Sequence, residues 1–166
     1  MIIVLDLSKP QELWITLETL LDAVQARINK VSDRISTKDG NQLRLTLREK
    51  RSKEIPEKLF ESYQLTVFPI PLTIIGTKFD HFLHLHVNEQ RMINKVLRLV
   101  ALHLGASLFV LKDGLHINRI KAWLQHLAFG SPYSQNVQTE FGKPLIIPVG
   151  SSSTSGIGKY TKHKVI

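Results

Sequence analysis

The sequence predicts an α+β fold with a ferredoxin-like βαββαβ core, and three observations predict it. Apolar residues recur at helical spacing in three stretches, and short β-branched or alternating runs separate those stretches. The resulting order is strand, helix, three strands, helix, strand, helix and a late strand. Its first part matches an antiparallel sheet that carries helices on one face and leaves the other open.

The first strand is "IIVLDL" (2 to 7), β-branched and closed by Ser8, Lys9 and Pro10, which also mark a helix start. Leu13, Leu17, Leu20, Leu21, Val24, Ile28 and Val31 then keep a helical period, which predicts a long helix packed on one side. "KDGN" (38 to 41) is a turn signal, after which Leu43, Leu45 and Leu47 alternate with Arg44, Thr46 and Arg48. This alternation predicts a strand with a basic outer face. "REKRSKEIPEKL" is charged and broken by proline, and reads as a loop carrying Lys50 and Arg51.

"YQLTVFPIPLTII" (63 to 75) is extended, with Pro69 and Pro71 pointing to an edge or a bulge, and Gly76 to Lys78 turn the chain. "FDHFLHLHV" (79 to 87) alternates, so a strand is expected with Phe82, His84 and His86 on one face. Ile93, Val96, Leu97, Val100, Ala101 and Leu104 form the stripe of the next helix, with Arg91, Lys95 and Arg98 on a separate basic edge and Gly105 as its cap. "SLFVLKDG" (107 to 114) is a strand and turn, "LHINRIKAWLQHLAFG" (115 to 130) a helix ending at glycine, and "KPLIIPV" (143 to 149) a last short strand.

A chain of 166 residues that is 43% hydrophobic buries most of the surface of one domain but would leave two with thin cores, so residues 1–166 are expected as a single basic domain. Within it, 150–166 reads as a glycine and serine loop with a terminal strand, or as a flexible tail. The 22 Lys and Arg against 14 Asp and Glu give a net charge of +8. That balance favours polyanions and makes nucleic acid the leading partner class, RNA ahead of DNA, with an anionic membrane surface second. A protein partner or a second copy is left open. The absence of cysteine excludes disulfides, thiolate nucleophiles and cysteine-bound metal. No apolar stretch approaches the roughly 20 residues needed to span a bilayer, and the N-terminus lacks the features of a signal peptide, so a cytoplasmic protein is expected.

An open, basic sheet face suits nucleic acid when Arg44 and Arg48 meet phosphates and Phe82 stacks on a base, although the same pattern fits the solvated side of a half-buried sheet. On the third helix, His116, Arg119, Trp123 and His126 share one face, with Ile117, Ile120, Leu124 and Leu127 on the expected core face. Trp123 there either grips a base or widens the apolar stripe. "GSSSTSGIGKYTK" offers Gly150, Thr154, Gly156, Gly158 and Lys159 as an anion cradle, since glycine lets backbone approach phosphate and lysine adds charge. It lacks the spacing of a P-loop.

Two resemblances sharpen these readings. His84, Leu85 and His86 resemble the paired histidines of the HUH single-strand nucleases, which implies a metal held by His84 and His86 and a tyrosine nucleophile on a following helix; that helix here carries Trp123, and indole cannot attack phosphate. Gly150, Thr154, Gly156, Ile157, Gly158, Lys159 and Tyr160 resemble the C-terminal glycine-rich segment of the RAMP superfamily, in particular the CRISPR repeat-processing endoribonucleases. That resemblance implies a ferredoxin-like fold, RNA held by the loop, and metal-independent cleavage with a histidine in acid–base catalysis. Neither a cofactor nor a metal is called for under it. Three function classes follow: an RNA-binding protein of RAMP type, a metal-dependent single-strand DNA nuclease or replication initiator, and a non-enzymatic basic protein of viral-matrix or nucleoid type that coats nucleic acid or a membrane.

Overall fold

The computed structural model describes residues 1–35, 37–56, 65–112, 117–134, 136–152 and 157. Ile2–Asp6 form β1, and Asp6 closes it by accepting hydrogen bonds from the Ser8 backbone N–H at 2.9 Å and the Ser8 hydroxyl at 2.6 Å. Pro10, pre-set for a first helical turn, then opens α1 (Pro10–Arg34). Leu13 and Leu17 are buried under the sheet, and Leu21, Val24 and Ile28 continue the same stripe against the core.

The first correction falls on residues 43 to 48. They belong to a helix, α2 (Thr37–Ser52), not to a strand. Gln, Leu, Arg, Glu and Lys are strong helix formers, and this intrinsic preference overrides a short alternation. Leu43 and Leu47 also stand one helical turn apart, while Leu45 remains 54% exposed. α2 is fastened to α1 by Arg44, whose Nη2 donates to Asp33 Oδ1 at 2.6 Å and to the Asn29 carbonyl at 3.3 Å.

β2 (Thr73–Thr77) pairs with β1 in parallel, Ile3 opposite Ile74 and Leu5 opposite Gly76. Gly76 is therefore inside the strand, where a Cβ would sit 2.7 Å from Leu7 Cδ1. The second correction is at residues 79 to 87. Lys78 takes the left-handed conformation (φ 57°) and the chain enters a single helical turn, α3 (Phe79–Phe82). The spacing of three puts both Phe79 and Phe82 into the core, their rings 5.8 Å apart. Gln90, buried on the next helix, donates to the carbonyls of Leu83 (3.0 Å) and Leu85 (2.8 Å), so the connecting backbone is satisfied without a strand.

α4 (Val87–His103) starts at His86, which acts as its cap: Nδ1 accepts from Asn88 N–H and Glu89 Oε2 accepts from His86 N–H, both at 3.3 Å. Gly105 ends the helix at φ 60°. β3 (Ser107–Val110) adds to β2 in parallel, α5 (Ile117–Phe129) follows, and β4 (Ile146–Ile147) pairs antiparallel with β3, with Gln138 bridged to Ile146.

The α+β class thus stands, with a four-stranded mixed sheet in the order β1-β2-β3-β4 and five helices among the described residues. The antiparallel ferredoxin-like pairing is corrected to one led by parallel strands. A parallel neighbour needs a long crossover, and α1 with α2, then α3 with α4, supply the two crossovers. One sheet face carries Ile3, Leu5, Ile74, Leu108, Val110 and Ile147 under α1 and α4; the other packs Phe109 and Ile146 against Trp123 of α5.

Candidate protein-docking surface

The helical hairpin of α1 and α2 brings the predicted basic residues to a cleft of ≈ 350 Å³. Ile28, Leu45 and Pro69 give it apolar walls; Gln25, Asn29 and Asn41 supply amides; Arg44 and Arg48 supply guanidinium groups. Among the described residues no carboxylate lines it. An apolar recess with amides and two cations, one held in place by Asp33, is chemically suited to an amphipathic segment of another protein that carries acidic side chains. Gln25, Ile28, Asn29, Asn41 and Pro69 were not marked as site residues from the sequence, because only the fold brings them together.

The other marked residues divide between surface and interior. Lys50, like Arg48, is exposed. Arg51 is 4% exposed and serves the core: its Nη2 donates to the Gly105 carbonyl at 2.7 Å and it pairs with Glu54. Burial lowers its pKa from the usual arginine value. Phe82 is 1% exposed, so no base can reach it. On α4, Arg91 lies over the Phe141 ring at 5.1 Å, and Arg98, half-buried, has its pKa lowered by burial; Lys95 is also half-buried.

Trp123 widens the apolar stripe of α5 rather than forming a gripping face. Its ring meets Phe109 at 5.4 Å and Tyr133 at 5.1 Å, while Ile117, Leu124 and Leu127, expected in the core, are 51%, 37% and 37% exposed. Arg119 remains exposed beside Asn136 and Ile146 in a second cleft, and it opposes the rise that burial gives the Tyr133 pKa. Gly150, at φ 76°, sits where a Cβ would come within 3.0 Å of the Glu54 carbonyl, a packing role for that glycine. Thr154, Gly156, Gly158, Lys159 and Tyr160, with His116, lie outside the described residues.

His84 and His86 are exposed in the turn before α4 and at its cap, not on a strand that would project both rings to one side. Among the described residues no group of three or more His, Asp or Glu is arranged to hold a metal ion, and no helix is long and apolar enough to cross a membrane.

No protein-family model matches the chain. Curated relatives do match, and they agree with one another. Bovine (Bos taurus) cytoplasmic dynein 2 light intermediate chain 1 is 37% identical over 166 residues, covering 95% of this chain and 45% of the relative. The zebrafish (Danio rerio) protein of the same name is 36% identical over 165 residues (95% and 44%), and the human one 35% identical over 159 residues (95% and 45%). The chain is similar to dynein 2 light intermediate chains along nearly all of its length. It spans less than half the length of those relatives.

This similarity overturns the functional reading of the sequence. The RAMP and CRISPR endoribonuclease resemblance rested on about a dozen glycine- and serine-rich residues, whereas the dynein 2 light intermediate chains match through 95% of the chain. The HUH nuclease and the viral-matrix or nucleoid alternatives fall with it, and so does nucleic acid as the partner. Net positive charge reports attraction to any anionic surface, including an acidic protein, and cannot by itself select RNA.

Proposed function

We propose that this chain is the counterpart of part of a cytoplasmic dynein 2 light intermediate chain, acting as an assembly subunit in the cytoplasm and docking on other proteins of a dynein complex. The observation that carries this reading is the 35–37% identity maintained over 95% of the chain. The cleft between α1 and α2, lined by Arg44 and Arg48 and by no carboxylate among the described residues, supports it, as a surface suited to an acidic protein segment. Residues 1–166 are taken as one domain, which a core shared from β1 to β4 supports.

The test is co-purification. Tagged chain is expressed in cultured human cells beside the tagged human relative, and recovered proteins are identified by mass spectrometry. Dynein 2 subunits are expected with both, and Leu45→Lys with Arg48→Glu is expected to reduce their recovery with this chain. Recovery with the human relative but none with this chain would sink the proposal.

A further inference from the structure

The chain that leaves α5 packs back on that helix and then joins the sheet. Tyr133 meets the Trp123 ring edge-on at 5.1 Å, and Gln138 exchanges both backbone hydrogen bonds with Ile146 of β4, at 2.8 and 2.9 Å. Beside α5 and β4 this leaves two adjoining clefts of ≈ 440 and ≈ 250 Å³, which share Arg119, Asn136 and Ile146. Neither shares a residue with the cleft between α1 and α2. The larger is the size of a small-ligand site, for which about 300–1,000 Å³ is usual.

The lining also differs in kind. Arg119 and Lys143 bring two cations to the larger cleft, with the amides of Asn136 and Gln138, whereas Ala122, Pro132 and the Tyr133 ring give the smaller one an apolar wall. Among the described residues no carboxylate lines either cleft. Arg44 pairs with Asp33 and Arg51 with Glu54, but Arg119 pairs with no carboxylate among the described residues. Burial raises the Tyr133 pKa and the charge of Arg119 opposes that rise, which sets the guanidinium close to the phenol. Lys143 is held by Glu140 at 2.7 Å, yet both side chains are more than half exposed, and an ion pair of that kind gives way readily to a stronger anion.

A guanidinium offers a planar fork of donors, an ammonium offers more, and each amide adds an NH2 group. Together these exceed what one carboxylate accepts and match the terminal oxygens of a phosphate. The walls are set before any ligand arrives. Trp123 is fixed by its hydrogen bond to Thr73, Tyr133 rests against it, and Gln138 is tied to Ile146, so little ordering is left for binding to impose.

We propose that the double cleft binds a phosphate monoester: Arg119, at the junction, and Lys143 hold the phosphate with the Asn136 and Gln138 amides, and the wall of Ala122, Pro132 and Tyr133 receives the carbon group esterified to it. The same chemistry serves a small free phosphate ester and a phosphorylated serine of another protein. This inference makes no use of the kinship behind the proposed function and stands or falls apart from it.

The experiment titrates the isotope-labelled chain at constant ionic strength and follows it by NMR. The probes are glycerol phosphate, a phosphoserine peptide, the same peptide without its phosphate, and acetate. Saturable movement of the Arg119 Nε–H signal and of the Asn136 and Gln138 side-chain amides is expected with glycerol phosphate or the phosphopeptide, and the tighter of the two names the source. Acetate is expected to bind about tenfold more weakly, and the unphosphorylated peptide not at all. Arg119→Gln should weaken binding about tenfold and Lys143→Gln about threefold, with the Trp123 Nε1–H signal unmoved, so that lost binding is not lost packing. Movement that fails to saturate, that acetate or the unphosphorylated peptide reproduces at the same concentration, or that survives Arg119→Gln overturns the proposal. Should Arg119→Gln displace the Trp123 signal, Arg119→Lys is read in its place; it keeps the charge and loses the fork, and an unchanged affinity overturns the proposal equally.

Discussion

Trp123 Nε1 donates a hydrogen bond to Thr73 Oγ1 at 3.0 Å, joining the buried face of α5 to the first residue of β2 across 50 positions of sequence. Both side chains are almost fully buried, at 4% and 1% exposure. Trp123→Phe keeps an aromatic ring but leaves the Thr73 hydroxyl buried without that donor, an expected loss of about 1–3 kcal/mol. Thr73→Val in the Trp123→Phe background should cost less than in the wild type, because the hydroxyl no longer has the indole to bond. Urea unfolding of the four proteins, followed by circular dichroism, measures the cycle; strict additivity would show that the hydrogen bond contributes nothing.

The guanidinium of Arg51 plays the same joining role for α2, through the carbonyl of Gly105 at the end of α4. Arg51→Ala is expected to cost about 1.5–3 kcal/mol, the range for a hydrogen bond from a charged group. Glu54, the other partner, is 40% exposed on its side chain and so is not stranded when the arginine goes. Arg51→Lys should recover less than half, since one ammonium does not reproduce the fork that serves both partners. A midpoint of unfolding unchanged in Arg51→Ala would contradict this.

These two residues also show where a local reading of the sequence stops. β1, α1, α4, β3 and α5 are legible because each is announced by its own apolar pattern and by Pro10, Gly105 or Gly130 at an end. Arg51 reads as a loop cation, and Trp123 as either a gripping aromatic or a widening of the apolar stripe, because their partners, Gly105 and Thr73, are 54 and 50 positions away. Parallel pairing is equally non-local, so β1 beside β2 could not be told from an antiparallel meander. The alternations at 43–48 and 79–87 were weaker evidence than Leu43 with Leu47, Phe79 with Phe82, and the His86–Glu89 spacing, all of which obey a helical period. The α1–α2 cleft left no trace in sequence, since its residues come from three separate segments.

Asp6 gives a pH dependence with a defined sign. The hydrogen bond from Lys78, at 2.7 Å, and those from Ser8 hold its pKa at about 2, below the model-compound value of 3.8. A carboxylate depressed by folding stabilises the native state at all pH above its unfolded value, and that contribution is lost as pH falls from about 4 towards 2. Lys78 and Asp6 side chains are 52% and 34% exposed, so solvent screening keeps the effect below about 1 kcal/mol. Asp6→Asn should flatten the fall in stability within that window. Parallel urea midpoints for wild type and variant from pH 5 to pH 2 would refute the assignment.

His86 is an uncommon helix cap, and its replacement separates capping from any other use of the ring. His86→Ala removes the acceptor for the Asn88 N–H and is expected to cost about 1 kcal/mol. His86→Asn restores a favoured cap and should be at least as stable as the wild type, as judged by thermal unfolding. Equal loss in both variants would mean that imidazole does something at this position that capping does not describe.

Gly105 and Gly130 form a matched pair for the final prediction, because both have left-handed backbone, at φ 60° and 68°, and differ in surroundings. A Cβ on Gly130 meets nothing within 4 Å, so Gly130→Ala should cost only the conformational penalty, about 1–2 kcal/mol. A Cβ on Gly105 would lie 2.7 Å from Ile55 Cδ1 and 3.1 Å from Val67 Cγ1, both buried side chains. Overpacking there adds about 1–3 kcal/mol to the same penalty. The difference between the two alanine variants in urea unfolding therefore reports how firmly Ile55 and Val67 are held. A difference near zero would mean that the segment after α2 yields freely, and that the Arg51 contact to the Gly105 carbonyl, rather than side-chain packing, fixes this corner of the fold.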